Sequence, residues 1–250
     1  MKAALREAVS QGLIATNPAD RANPPAAREA KAPEIHPWTA GQLSSFLVWG
    51  DDQGHPDVVA YRVLAFTGMR RGELLALRWR DLDLEGGRVS VRRSVGVVKT
   101  HGESERIIEG ATKSGRERVV DLDPRTVEAL RRHRMARAGL LLQLARDDAL
   151  VFGDIEGGYL NPDRFSRRFT RALAVCASQA DAPPLPAIRI HDLRHTHATL
   201  LLAAGVPVKV VSERLGHSTV TITMEIYQHV LPGMQAEAAR RFAEIVGGDA

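Results

Sequence analysis

An α+β fold, mainly α-helical with a small antiparallel three-stranded sheet, is what this sequence of 250 residues predicts. Three observations carry that expectation. Apolar residues recur at helical spacing up to about residue 80, the period shifts to two between about Arg88 and Leu122, and helical spacing returns from Pro124 to the end. A hydrophobic content of 44% is enough for a chain of this length to bury a sizeable core.

The first element is a helix over Ala3 to Ile14, with Ala4, Leu5, Ala8 and Leu13 apolar and no capping residue in front. After Asn17-Pro18 the chain is rich in Ala, Pro and charge through Pro25, Pro33 and Pro37, where proline forbids helix propagation, so residues 18–37 read as a linker. Thr39 is the N-cap of the next helix, and the pattern resumes from Asp57 through Phe66. Gly68 breaks that helix and puts Arg70 in the first turn of another, at the positive end of its dipole. Such a position suits an anion, although on this segment alone an exposed arginine paired to Glu73 is the better explanation.

Three short β-branched stretches follow, Arg88 to Arg92, Arg106 to Glu109 and Arg118 to Leu122. The turn Thr112-Lys113-Ser114-Gly115 is expected to join the last two as a hairpin, with Gly115 at positive φ and Lys113 at a protruding tip. Further helices fit Pro124 to Ala145, Asn161 to Ala177, His191 to Ala204 stopped by Gly205, Thr219 to His229, and an amphipathic Gln235 to Val246.

Composition excludes several function classes. A single cysteine, Cys176, builds neither a disulfide framework nor a Cys-rich metal cluster. No stretch approaches the roughly 18 uninterrupted apolar residues of a membrane span, and the N-terminus has no signal-peptide core, so no membrane is involved and a cytoplasmic setting is expected. A net charge of +4 permits a nucleic-acid partner without demanding one.

The densest chemistry is His191-Asp-Leu-Arg194-His195-Thr-His197, in which His191 and Arg194 share a helical face able to grip a phosphate. His191 and His195 also have the spacing of a zinc helix, but a fixed guanidinium on that face would repel a dication. His217, just past a helix end, and Tyr227, ten residues on, mean little alone.

Taken together, Thr67-Gly-Met-Arg-Arg-Gly-Glu-Leu74, His191-Asp-Leu-Arg-His195, Leu215-Gly-His-Ser218 and the Lys113 turn resemble the tyrosine recombinase family of phage integrases, over about Trp38 to Val230. The resemblance implies the catalytic fold of the DNA breaking-rejoining enzymes and a site formed by Arg70, Lys113, His191, Arg194, His217 and Tyr227, with Lys99 as the alternative lysine. It implies site-specific recombination, by integration or excision, of double-stranded DNA through a 3′-phosphotyrosine, with no cofactor and no metal. It also implies self-association to a tetramer on DNA from a monomer without it. Residues 38–250 then correspond to the catalytic domain, and residues 1–17 to the last helix of a core-binding domain of which little else is represented, so that DNA binding should be weaker than in an intact relative. Two other readings stand beside this one. A helix-turn-helix regulator would use Leu200 to Tyr227 but leaves Arg70, Lys113 and Tyr227 without a task, and a type IB topoisomerase shares the chemistry but not the exchange of partners.

Overall fold

The structure is a computed structural model, and it describes residues 2–22, 37–99, 104–113, 115–179, 185–227 and 234–247. The chain divides into two compact units, Met1–Ile35 and His36–Ala250. The first holds helix α1 (Lys2–Ser10) and a 3-10 turn at Pro18–Asp20 capped by Asn17. Helix α1 stops short of the expected Ile14 because Gly12 takes φ +70° and Leu13 N–H bonds back to the Ala8 carbonyl at 2.9 Å, a left-handed helix end. Most of the linker expected over 18–37 lies outside the described residues.

In the second unit, helix α2 (Ala40–Asp52) starts with the reciprocal bonds of a capping box. Thr39 Oγ1 accepts from Gln42 N at 3.2 Å, and Gln42 Oε1 from Thr39 N at 2.9 Å. Helices α3 (Val58–Thr67) and α4 (Arg71–Leu75) follow, then a 3-10 turn at Trp79–Asp81. Strands β1 (Leu82–Asp83), β2 (Arg88–Val91), β3 (Arg93–Val98), β4 (Arg106–Ala111) and β5 (Arg118–Asp121) come next. The rest is helical: α5 (Pro124–Leu140), α6 (Pro162–Ala177), α7 (Asp192–Ala203), α8 (Val208–Leu215), α9 (Val220–Tyr227) and α10 (Met234–Gly247). No helix among the described residues is long and apolar enough to cross a membrane.

The α+β class and the antiparallel three-stranded sheet are as expected, but the strand partners differ. The sheet has the order β1-β2-β5, while β4 pairs with β3 in a separate two-stranded ribbon. Residues 112–115 therefore link the ribbon to the sheet and do not close a hairpin between 106–109 and 118–122. Burial decides between the two pairings. Val89 on β2 and Val120 on β5 face each other and are both buried, whereas most of β4 is exposed and gains nothing from the inner sheet. Gly115 does take φ +66°.

The core forms where α2, α3 and α6 meet. Trp38, Phe46, Tyr61 and Phe169 pack as an aromatic cluster with ring centroids 5.2 to 6.4 Å apart. Trp38 N also donates to Thr196 Oγ1 at 3.0 Å, tying the start of this unit to the middle of α7. A smaller cluster of Ala198, Val211 and Leu215 seats α8 on α7 and so fixes where the chain after Leu215 emerges.

Candidate active site

The turn between α3 and α4 organises the site. Gly68 ends α3 at φ 65°, in the left-handed region, and its α-carbon is so close to α7 and α8 that a Cβ would lie 2.7 Å from His197 Cδ2 and 2.7 Å from Leu215 Cδ2. The next residue but one, Arg70, is the N-cap of α4. Its backbone N–H donates to Glu73 Oε2 at 2.8 Å and its guanidinium to Glu73 Oε1 at 3.0 Å. Arg194, in the first turn of α7 and buried, donates from Nη1 to the Gly68 carbonyl at 2.7 Å. One glycine turn thus locates both arginines.

His191 and His217 join this pair. His191 is exposed and stands at the N-cap of α7, its ring centroid 5.2 Å from that of His195 and nearly perpendicular to it. Partial desolvation, reinforced by His195 and Arg194, lowers its pKa to about 4. His217 follows Gly216, which ends α8 at φ 67°. Its Nδ1 lies 2.8 Å from Thr223 Oγ1, a bond that ties His217 to the helix whose last residue is Tyr227. Burial, then Arg194 and Arg70, lowers the His217 pKa to about 4 as well. Both imidazoles are neutral at pH 7, and the fields of Arg70 and Arg194 reach both.

Glu73 is buried beneath this surface. Burial alone would raise its pKa, but hydrogen bonds and charge from Arg118 and Arg70 outweigh that and hold the carboxyl below its usual range. Arg70 and Arg118 therefore share the Glu73 carboxylate, and with Arg194 held on the Gly68 carbonyl the cluster is net positive and suited to an anion.

Two of the six expected residues stand differently. Lys113 is exposed in the turn between β4 and β5, and no hydrogen bond or ion pair among the described residues holds it. Lys99, its alternative, is already paired with Glu105 at 2.7 Å. Tyr227 closes α9, and its side chain lies outside the described residues. Among the described residues no three His, Cys, Asp or Glu side chains converge as a metal site.

Sequence reasoning missed Arg118 and Thr223. For Arg118 a signal existed, because period two puts it on the same side of β5 as the buried Val120 and so turns its side chain inward. Thr223 offered none, since its role depends on how the chain folds back after Gly216.

The family model described as "Phage integrase family" matches residues 42–233. The chain belongs to the phage integrase family. Among its relatives, a tyrosine recombinase XerC-like protein of Caldanaerobacter subterraneus subsp. tengcongensis is 29% identical over 256 residues, covering 98% of this chain and 64% of the relative. The integrase of Mycobacterium phage D29 is 30% identical over 251 residues, covering 99% of this chain and 61% of the phage protein. The chain thus spans less than two thirds of the length of either. Among solved structures, the Tn1549 transposon integrase in complex with transposon right end DNA superposes with a TM-score of 0.70 at 27% identity, over 99% of this chain and 76% of that one. The catalytic domain of bacteriophage HP1 integrase superposes with a TM-score of 0.54 at 20% identity, over 87% of this chain and 100% of that one, a likeness of fold alone.

Proposed function

We propose that this integrase-family chain is the catalytic portion of a site-specific recombinase that cuts and rejoins double-stranded DNA through a 3′-phosphotyrosine on Tyr227, with residues 38–250 as the catalytic domain and residues 1–17 as the end of a core-binding domain joined by the linker 18–37. The observation that carries this reading is the single Gly68 turn locating Arg70 and Arg194, with two neutral imidazoles in their field. The DNA complex of the Tn1549 relative supports duplex DNA as the partner.

A scissile phosphodiester seated between Arg70 and Arg194 receives paired hydrogen bonds on its non-bridging oxygens, which stabilise the charge of the pentavalent transition state. The Tyr227 hydroxyl oxygen attacks phosphorus, the P–O5′ bond breaks, and the phosphoryl group passes to tyrosine, leaving a free 5′ hydroxyl. His191, neutral at pH 7, accepts the phenolic proton. Lys113, on its exposed turn, protonates the departing 5′ oxygen. With the Thr223 hydroxyl donating to Nδ1, the neutral His217 ring carries its proton on Nε2 and donates to a non-bridging oxygen. The bond energy stays in the phosphotyrosine, so rejoining needs no ATP or other cofactor. Exchange between two duplexes requires a tetramer assembled on DNA from monomers, and the exposed Phe242, Ile245 and Val246 of α10 support a contact between subunits.

The test is a trapping assay with nicked duplexes from the chain's genomic neighbourhood, denatured in detergent. A protein-linked DNA band from the wild type that vanishes in Tyr227→Phe supports the proposal. A band that persists in Tyr227→Phe refutes the assignment of the nucleophile, and DNA binding with no band in either protein refutes catalysis by this chain alone.

A further inference from the structure

Arg118 lies outside the six residues assigned above, yet its guanidinium contacts Glu73, the end of α8 and Gly216 at once. Its side chain is 8% exposed. Nη1 and Nη2 donate to the two Glu73 oxygens at 3.1 and 2.7 Å, a two-pronged grip on the carboxylate that orients Arg70. The remaining donor, Nε, reaches the Arg214 carbonyl at 2.9 Å, in the last turn of α8. Directly above, Gly216 rests on the guanidinium so closely that a Cβ there would lie 2.8 Å from Nη1 and 3.0 Å from the central carbon. Gly216 is followed by His217. Arg118 itself is the first residue of β5, five residues beyond Lys113.

We propose that Arg118 is a positioning residue, a buried guanidinium that locks the segments carrying Arg70, Lys113 and His217 into one register. The proposal rests on the recombinase reading for its catalytic consequence, although the locking itself does not. Each of the three segments belongs to a different part of the chain, and no two are adjacent elements of one sheet or helix pair. A planar fork with donors on three sides can hold a carboxylate, a helix-end carbonyl and a close glycine at once, which the point charge of lysine cannot do. A role confined to stability would lower the melting temperature and leave the turnover of the folded molecules intact. A positioning role lowers the rate at saturating DNA and disturbs His217 even without DNA.

The experiment compares Arg118→Lys and Arg118→Met with wild type in the full chain, using two measurements. In the first, without DNA, imidazole NMR follows the titration of His217, whose charged neighbours are Arg194, Arg70, His195 and Arg118. Losing a nearby cation favours the protonated ring, so in Arg118→Met the His217 midpoint should rise by about half a pH unit while that of the partly buried His133 stays put. In the second, covalent adduct formation is timed on the nicked duplex that traps the wild type. The rate at saturating DNA should fall on the order of 100-fold in both variants with affinity within about threefold, as expected when a reacting group is misplaced by an ångström or so. An unmoved His217 midpoint in Arg118→Met, or a folded Arg118→Lys that cleaves at the wild-type rate, overturns the proposal. If Arg118→Met does not fold, Arg118→Lys, which keeps the charge, decides through the cleavage rate. A wild type that forms no adduct on any duplex counts against the recombinase reading, and the His217 titration still decides whether Arg118 holds the register.

Discussion

Replacing Gly68 by alanine should destabilise the larger unit by about 2 to 5 kcal/mol, because two costs coincide there. The first is conformational: Gly68 has φ +65°, where an L-residue pays roughly 1 to 2 kcal/mol. The second is steric. The new Cβ would stand 2.7 Å from carbons of both His197 and Leu215, well inside van der Waals contact. Neither neighbour is free to retreat. Leu215 is fully buried in the cluster that seats α8 on α7, and His197 Nδ1 is bonded to the Ala65 carbonyl at 2.9 Å. Overpacking of this kind adds about 1 to 3 kcal/mol. Gly96→Ala is the control, since no atom lies within 4 Å of its Cβ position and its φ is outside the left-handed region. The assay is urea unfolding at pH 7 followed by tryptophan fluorescence, which reports on this unit alone because Trp38, Trp49 and Trp79 all belong to it. With a urea slope of about 3 kcal/mol per molar, the midpoint should fall by roughly 0.7 to 1.7 M at unchanged slope. A Gly68→Ala midpoint equal to that of Gly96→Ala would refute the claim that this turn is a tight junction between α3, α7 and α8.

Two further outcomes are expected. His197 is buried and its pKa is lowered to about 4, by burial first and then by Arg214, so between pH 6.5 and 4 the unfolded chain binds a proton that the folded chain refuses. The resulting stability, about 3 kcal/mol, is complete above pH 6.5 and is lost as the pH falls toward 4, with His191 and His217 acting in the same direction; a urea midpoint that stays flat from pH 7 to 4.5 would contradict this. Lys113→Met should slow adduct formation by about 100-fold or more, as loss of a general acid does, whereas Lys99→Met, which frees the carboxylates of Glu105 and Asp163, should stay within about threefold. Equal effects of the two substitutions would reassign the lysine.

What could be read from the sequence was whatever is decided within a few residues. The Thr39 cap and the stop at Gly205 each rest on one side chain or one φ angle acting on its own turn, and both stand where expected. The early end of α1 was legible by the same logic, at Gly12. Strand partnership was not, because β-branched residues mark a strand without naming its neighbour. The stretch Arg93 to Val98 continues directly from β2 and gives no local sign that the chain bends at Arg92 to start a ribbon with β4. The site divides along the same line. Arg70, His191, Arg194 and His217 were proposed from short motifs, while the contacts of Arg118 arise only when β5 is laid against α4 and α8.

The arrangement has a consequence for how protons are managed. Without DNA, burial first and then the charges of Arg194 and Arg70 disfavour a proton on both His191 and His217, and each ring is neutral at pH 7. In the proposed reaction, a phosphodiester brought between Arg70 and Arg194 would cancel part of that positive field, and the transition state, with more negative charge on phosphorus oxygens, would cancel more of it. In that reaction the basicity of the imidazoles would therefore rise along the reaction coordinate, and His191 would become a better acceptor for the phenolic proton at the moment that proton must leave. In the free protein the same two rings carry no charge that could draw in stray anions beyond what the arginines already attract. On that proposal the fixed cations and the titratable groups would be coupled through the phosphate, while the buried Glu73, held ionised by both Arg70 and Arg118, fixes the arginine geometry.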